Sequence, residues 1–209
     1  FRTNNVERLR ITRKGRLHFS NTSVSPLYPN IFLEGGNEIT SGVANIGIGE
    51  SALANIDSGQ QNVAMGRNAL KATSSGGANV AIGNEALGSN TYSFSNVAVG
   101  FAALAMLNDG GQNVAIGDNA GSTLPSGSRN TFIGSLAGTT IDGLDNATAI
   151  GYQATVEANN SMVLGSTGSL AVNVGIGNTM PNSTLQISGS FSAAINSTAV
   201  DYTVTDKDY

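Results

Sequence analysis

The stretch Asn79-Val80-Ala81-Ile82-Gly83-Asn84-Glu85-Ala86-Leu87 is one copy of a motif that returns every 17 residues. Each copy has a glycine at the same phase and an alanine three residues later. The glycines are Gly49, Gly66, Gly83, Gly100, Gly117, Gly134 and Gly151. A motif that returns in phase in this way marks a repeat architecture, in which each unit stacks on the next. The sequence therefore predicts a solenoid.

Each copy predicts a short strand, because large and small side chains alternate through Val80-Ala81-Ile82 with the period of two that strands have. One face of this strand carries Val, Ile or Met, and we expect it to fill an interior. The other face carries only Ala or Gly, which would fit the narrow interior of the roll or a close-packed interface between chains. Both faces are therefore expected to be buried. The small residues include Ala64, Ala81, Ala98 and Ala115.

A unit of 17 residues holds about two short strands and two turns, which is too little to bury its own apolar side chains. Ser75-Gly76-Gly77 supplies the flexible backbone that a tight return needs. Stacked strands lie about 4.8 Å apart, so roughly eight or nine coils would make a rod on the order of 40 Å long. Such a rod has the dimensions of a spacer.

An asparagine comes just before the strand in successive copies. Its amide can cap a turn and bond to the asparagine of the next coil. We expect a structural ladder rather than a ligand site, because catalysis has no use for one residue repeated in one phase. The asparagines are Asn45, Asn62, Asn79, Asn96, Asn113 and Asn130.

Composition restricts the possible functions. Among 209 residues there are 27 glycines, and only 11% are charged, which is unusual for an ordinary α/β enzyme. There is no cysteine, so disulfides and thiolate metal sites are excluded, and we expect no cofactor or metal. A net charge of −4 argues against nucleic-acid binding. No apolar run reaches the roughly 18 residues of a membrane helix, so we expect no membrane insertion, and no signal peptide is recognisable.

The N-terminal part departs from the repeat. Charged and apolar residues alternate through Glu7-Arg8-Leu9-Arg10-Ile11-Thr12 and again through Arg16-Leu17-His18-Phe19. This pattern predicts a β-hairpin with a basic face, which we interpret as a solvated strand face rather than a site for phosphates or an anionic surface. Pro26 and Pro29 then predict a linker. Because the first residue is Phe1 rather than Met, we expect a processed chain or an excerpt from a longer one.

The C-terminal part has a shortened spacing, with the next equivalent glycines at Gly165 and Gly177. Terminal coils of solenoids are commonly atypical. The sequence thus predicts three regions: an N-terminal hairpin and linker at 1–40, a β-roll at 41–178, and a β connector to a following domain at 179–209. Within the last region, residues 191–200 could form a helix or a strand.

The segments Asn146-Ala147-Thr148-Ala149-Ile150-Gly151 and Asn160-Ser161-Met162-Val163-Leu164-Gly165 resemble the head repeats of YadA-type trimeric autotransporter adhesins. The longer units resemble repeats of phage tail-fibre proteins and of surface fibres of Bacteroidota. Residues 1–11, and Asn173-Val174-Gly175-Ile176-Gly177 with the Pro, Leu and Gly that follow it, resemble segments that often precede the chaperone domain of tail fibres. The resemblance implies an all-β, left-handed parallel β-roll in an intertwined homotrimer, flanked by short β segments.

The function implied by this resemblance is that of a non-enzymatic structural and adhesive segment of a trimeric fibre. We expect a phage tail fibre on the virion that mediates host attachment, with adjacent fibre domains and a host surface glycan or receptor as partners. The alternative is an extracellular bacterial surface fibre or trimeric adhesin. A polysaccharide-degrading tailspike is the least supported reading.

Catalytic residues are scarce. His18 is the only histidine, so a single chain cannot build a multi-histidine metal site. Asp142 and Asp145 could pair as carboxylates for glycoside hydrolysis. Both lie in the segment Ile141-Asp142-Gly143-Leu144-Asp145-Asn146, however, where Asp, Gly and Asn are ordinary turn formers. We therefore predict no catalytic residues.

Ligand contact is expected on the segments that differ from coil to coil. In a solenoid these segments occupy one angular position and stack into a longitudinal band. They are residues 54–61, 71–78, 88–95, 105–112 and 122–129. Within them, Tyr92 and Phe94 are two aromatic residues at alternate positions that could stack on a sugar ring. Alternatively, they could cover the end of the roll's core.

Overall fold

In a computed structural model of the chain, the structure describes residues 30–33, 41–166 and 170–188, together with the backbone of four short strands between residues 2 and 19. The regular elements within this described part are strands. None of the described residues belongs to a helix long and apolar enough to cross a membrane. The proposed linker around Pro26 and Pro29, the side chains of the basic hairpin face and residues 191–209 lie outside the described residues.

The N-terminal strands are β1 (Arg2–Thr3), β2 (Val6–Glu7), β3 (Leu9–Ile11) and β4 (Leu17–Phe19). β1 pairs antiparallel with β2. β3 also pairs antiparallel with β4, with Leu9 opposite Phe19 and Ile11 opposite Leu17. The two alternating segments of the sequence are thus the two strands of a hairpin.

The middle of the chain forms a nine-stranded parallel sheet in which each strand pairs with the next one along the stack. This sheet contains β5, β6, β7, β8, β9, β10, β12, β14 and β15, while β11 pairs with β13 beside it. The strands of this region are β5 (Ile31–Leu33), β6 (Ile46–Ile48), β7 (Val63–Met65), β8 (Val80–Ile82), β9 (Val97–Val99), β10 (Val114–Ile116), β11 (Gly127–Ser128), β12 (Thr131–Ile133), β13 (Leu144–Asp145), β14 (Thr148–Ile150) and β15 (Met162–Leu164).

The register of the sheet follows the sequence period. In β8 and β9, Val80 lies opposite Val97 and Ala81 opposite Ala98, a step of 17 residues. The same step holds from β6 to β14. Only the end steps are shorter, because Ile31 pairs with Ile46 and Thr148 pairs with Met162. The predicted parallel β-solenoid with coils of 17 residues is confirmed.

The second strand predicted for each coil is mostly wrong. Outside the β11–β13 pair, the opposite side of the coil shows isolated bridges, such as those joining Phe94 to Gly77 and Gly111. The backbone there runs through turns, yet its N–H groups still bond from coil to coil. The carbonyl of Thr91, for example, accepts from the N–H groups of Ser74, Ser75 and Gly76 at 3.2–3.3 Å. Stacking therefore satisfies the backbone without requiring a regular second strand.

The assignment of the two strand faces is also wrong in part. Ala81 and Ala98 are fully buried, so the small face is the narrow interior of the roll and not an interface between chains. Leu87 and Leu104 of the facing turns are fully buried in the same core. The branched face points away from this core, and Ile82 is 38% exposed. Where leucine side chains from the opposite wall fill the space, as Leu87 and Leu104 do, only a small residue such as alanine fits on the strand.

The described residues 173–188 belong to a second compact unit, in which β16 (Val174–Ile176) pairs parallel with β17 (Leu185–Ile187). The sheet that β16 forms with β17 is separate from the nine-stranded sheet. Within the described residues the nine-stranded sheet ends at β15.

Candidate functional site

The repeated asparagines form a continuous ladder through the roll. The Nδ2 of Asn79 donates to Oδ1 of Asn62 at 3.1 Å and to the carbonyl of Ser93 at 2.9 Å. Its Oδ1 accepts from the backbone N–H and the Nδ2 of Asn96, at 3.0 and 3.2 Å. Because both ends of the amide are occupied and the side chain is fully buried, no group remains for a ligand. The ladder contains Asn30, Asn45, Asn62, Asn79, Asn96, Asn113 and Asn130.

The repeated glycines are also structural. Gly66 has φ of +134°, a conformation that side chains rarely adopt. A Cβ built on it would lie 2.5 Å from the carbonyl oxygen of Gly83 in the next coil. Backbone thus packs directly on backbone at this corner of the roll, which explains why glycine returns at this phase.

The outward face of the nine-stranded sheet is a candidate contact surface. We call it the apolar strip; apart from Thr131 and Thr148 its side chains are apolar. Its two columns are Ile31, Ile46, Val63, Val80, Val97, Val114, Thr131, Thr148 and Met162, and Leu33, Ile48, Met65, Ile82, Val99, Ile116, Ile133, Ile150 and Leu164.

The strip is exposed along its length in the single chain. Leu33 is 43% exposed at one end, Ile116 is 43% exposed in the middle, and Leu164 is 46% exposed at the other end. Eight strand steps of about 4.8 Å give it a length of roughly 38 Å. Apolar patches of this extent mark contact surfaces. The alternation of large and small side chains in the sequence identifies the residues of the strip. The predicted inward direction of these side chains is wrong.

The variable segments stack into the expected longitudinal band. The N–H of Ala78 bonds to the carbonyl of Gln60 at 2.9 Å, and the N–H of Gln112 bonds to the carbonyl of Phe94 at 3.1 Å. Tyr92 and Phe94 lie on this band, 60% and 54% exposed, with the buried Ser93 between them. Neither aromatic ring is part of the buried core.

Phe94 alone of the two aromatics lines a surface cleft of about 300 Å³. The polar side chains of this Phe94 cleft belong to Ser58, Gln60, Gln61 and Ser75 of the two preceding coils. Tyr92 lies outside the lining. The sequence indicated the aromatic residue, but not the glutamines, which are 33 and 34 residues earlier in the chain and reach Phe94 only through stacking.

Asp142 and Asp145 have structural partners. The carboxylate of Asp142 accepts from the N–H and hydroxyl of Ser126, at 3.1 and 2.8 Å, and from the N–H of Gly143 at 2.8 Å. Asp145 forms an ion pair with Arg129. The side chain of His18 lies outside the described residues. No group of three His, Cys, Asp or Glu side chains that could hold a metal occurs in the described part of the chain.

No family model matches the chain, and no curated protein sequence matches it. Function is therefore inferred from the surfaces of the chain itself. Within the described residues, the apolar strip and the Phe94 cleft are surfaces with a chemistry that the fold does not require.

Proposed function

We propose that the chain is a non-enzymatic structural and adhesive segment of a homotrimeric fibre. In this assembly three left-handed β-rolls pack around a threefold axis through their apolar strips. The carrying observation is the exposure of the strip, since side chains such as Ile116 and Leu164 are nearly half accessible in the single chain. Association of copies would remove this apolar surface from water.

Self-association suits the strip because its chemistry repeats along the roll. Two columns of Val, Ile, Leu and Met at a constant spacing present the same surface at every coil, so identical copies can match in register. The number three comes from the resemblance to trimeric adhesin heads and tail-fibre repeats. The threefold arrangement therefore rests on this resemblance.

The fibre role follows from the solenoid. A stack of coils with a buried asparagine ladder makes a rod, and such a rod can hold a receptor-binding tip away from its base. The flanking segments favour a phage tail fibre that contributes to host attachment on the virion, with a bacterial surface fibre as the alternative. Because Asp142 and Asp145 already bond to turn groups, a sugar-cleaving spike has little support.

The oligomer is tested by sedimentation equilibrium and native mass spectrometry of the purified chain. We expect a mass close to three times that of the 21.2 kDa chain. A folded chain that remains monomeric at micromolar concentration would overturn the trimer. Incubation with bacterial polysaccharide should release no reducing ends, and release would favour the spike.

The parent fibre is tested by the neighbouring coding sequence. Baseplate-attachment and chaperone domains beside this segment would support a phage tail fibre. A secretion signal or an outer-membrane anchor would support the bacterial surface fibre instead.

A further inference from the structure

The ring of Phe94 lies close to the backbone of the preceding coil at Gly77. A Cβ built on Gly77 would be 3.2 Å from Cδ1 and Cε1 of the Phe94 ring, so the ring covers this glycine. On the other side of Phe94, the stack presents Gly111, which also has no side chain. The residues in register with Phe94 in both adjoining coils are thus glycines, and Phe94 remains 54% exposed.

The fold does not need an aromatic residue at this position. Counting in steps of 17, the coils carry Val43, Gln60, Gly77, Phe94, Gly111, Ser128 and Asp145 here. None of the other coils has an aromatic residue at this position. An exposed phenylalanine at one coil alone adds apolar surface that contributes little to the core.

The Phe94 cleft combines this ring with neutral polar groups. Gln60 and Gln61 supply carboxamides, and Ser58 and Ser75 supply hydroxyls, so the wall offers both hydrogen-bond donors and acceptors. No charged side chain is among the residues that line it. A volume of about 300 Å³ suits a small ligand rather than a protein surface.

These features specify the chemistry of the occupant. A neutral sugar has one face of C–H groups, which can lie on an aromatic ring, and a rim of hydroxyls that need donors and acceptors. An anionic ligand would find no cation in the lining. The residues that line the cleft are not residues of the apolar strip, and Ser95, with a left-handed φ of 61°, separates Phe94 from β9.

We propose that the Phe94 cleft binds a neutral saccharide. The pyranose ring stacks on Phe94, and its hydroxyls bond to Gln60, Gln61, Ser58 and Ser75. The site names the class of ligand for the proposed attachment function, so this inference rests on that proposed function. The site itself is formed within one chain, so its test is separate from that of the trimer.

Saturation-transfer difference NMR tests the site with the methyl glycosides of glucose, galactose and mannose at millimolar concentration. We expect transfer to the ring C–H protons of at least one of them. Phe94→Ser should weaken this binding about tenfold. The matched control is Phe101→Ser, which removes a phenylalanine that is 51% exposed and outside the cleft, and it should bind like the unchanged protein.

Two further measurements keep the test decisive. Gln60→Ala retains the ring and should also weaken binding, and thermal melting should be unchanged in all three variants because the side chains lie outside the core. No transfer to any of the three glycosides, or equal transfer to Phe94→Ser and the unchanged protein, would overturn the saccharide site. The mass of the Phe94→Ser protein should equal that of the unchanged protein, so loss of sugar binding leaves the trimer proposal standing.

Discussion

Phe132 fills the space that Gly121 leaves open in the preceding coil. A Cβ built on Gly121 would lie 2.7 Å from Cδ2 of Phe132, whose side chain is fully buried. One coil earlier, the corresponding residues are Ala115 and Leu104. The roll thus accepts a large side chain from the strand wall or from the turn wall, but not from both. The core thus keeps its total side-chain volume constant, whereas the residue type at a given position of the coil can change.

This exchange predicts a strong coupling between the two positions. Gly121→Leu should overpack the core and cost about 1–3 kcal/mol, and Phe132→Ala should leave a cavity and cost about 3–5 kcal/mol. The double variant restores the pairing of the neighbouring coils and should be more stable than Phe132→Ala alone. The backbone at Gly121 has φ of +61°, close to the +50° of Leu104, so leucine can adopt it. Urea denaturation of the four proteins gives the coupling, and additive losses would contradict the exchange.

Glycines at different positions of the coil differ sharply in the substitutions that they tolerate. Gly66→Ala forces a side chain into a left-handed φ and against the carbonyl of Gly83, so it should cost roughly 2–4 kcal/mol. Gly138→Ala is the matched control, because its Cβ would have its nearest neighbour at 3.6 Å and its φ is not left-handed. We expect that change to be neutral or slightly stabilising. Equal losses in thermal denaturation would show that the corner is not the reason for glycine.

The asparagine ladder should be costly to interrupt in its middle. Asn96→Ala leaves the backbone N–H and the amide of Asn113 without their acceptor, and the carbonyl of Gly110 without its donor. We expect a loss of about 2–4 kcal/mol in chemical denaturation. Asn55→Ala is the control, since Asn55 is exposed, and it should change stability by less than about 0.5 kcal/mol. If both substitutions had the same small effect, the ladder would not stabilise the roll.

The coil length and the positions equivalent to Asn62 and Gly66 could be predicted, because the sequence repeats them in successive coils. The direction of the strand faces could not, because Val80 and Ile82 are larger than Ala81 and size alone favours the interior. The turn wall decides the matter: Leu87 already fills the core, which leaves room only for alanine on the strand. Apolar character alone does not show that a side chain is buried, because this chain also has an exposed apolar face.

The Phe94 cleft shows a second limit of prediction from sequence. Tyr92 and Phe94 both looked capable of stacking on a sugar, yet only Phe94 lines the cleft. What separates Phe94 from Tyr92 is its contact with Gly77, whose missing side chain leaves room for the ring. Gln60, two coils away, lines the same cleft. Neither contact is local in sequence, so only the register of the stack reveals them.

The proposed association through the apolar strip predicts which substitutions separate the copies. Ile116→Glu should separate the copies, because a trimer would then hold three carboxylates near one axis, where each loses solvation and repels the others. Stability of the single roll should change little, since Ile116 is already 43% exposed. Ile141→Glu is the matched control, with the same residue type, 44% exposure and a place outside the strip.

Sedimentation equilibrium and far-UV circular dichroism of these two variants make the comparison. We expect Ile116→Glu to sediment as a folded monomer, while Ile141→Glu keeps the mass of the unchanged protein. The reason is that only the first charge falls on the surface through which the strips would meet. Retention of the full mass by Ile116→Glu, or equal dissociation of both variants, would place the contact between copies elsewhere on the roll.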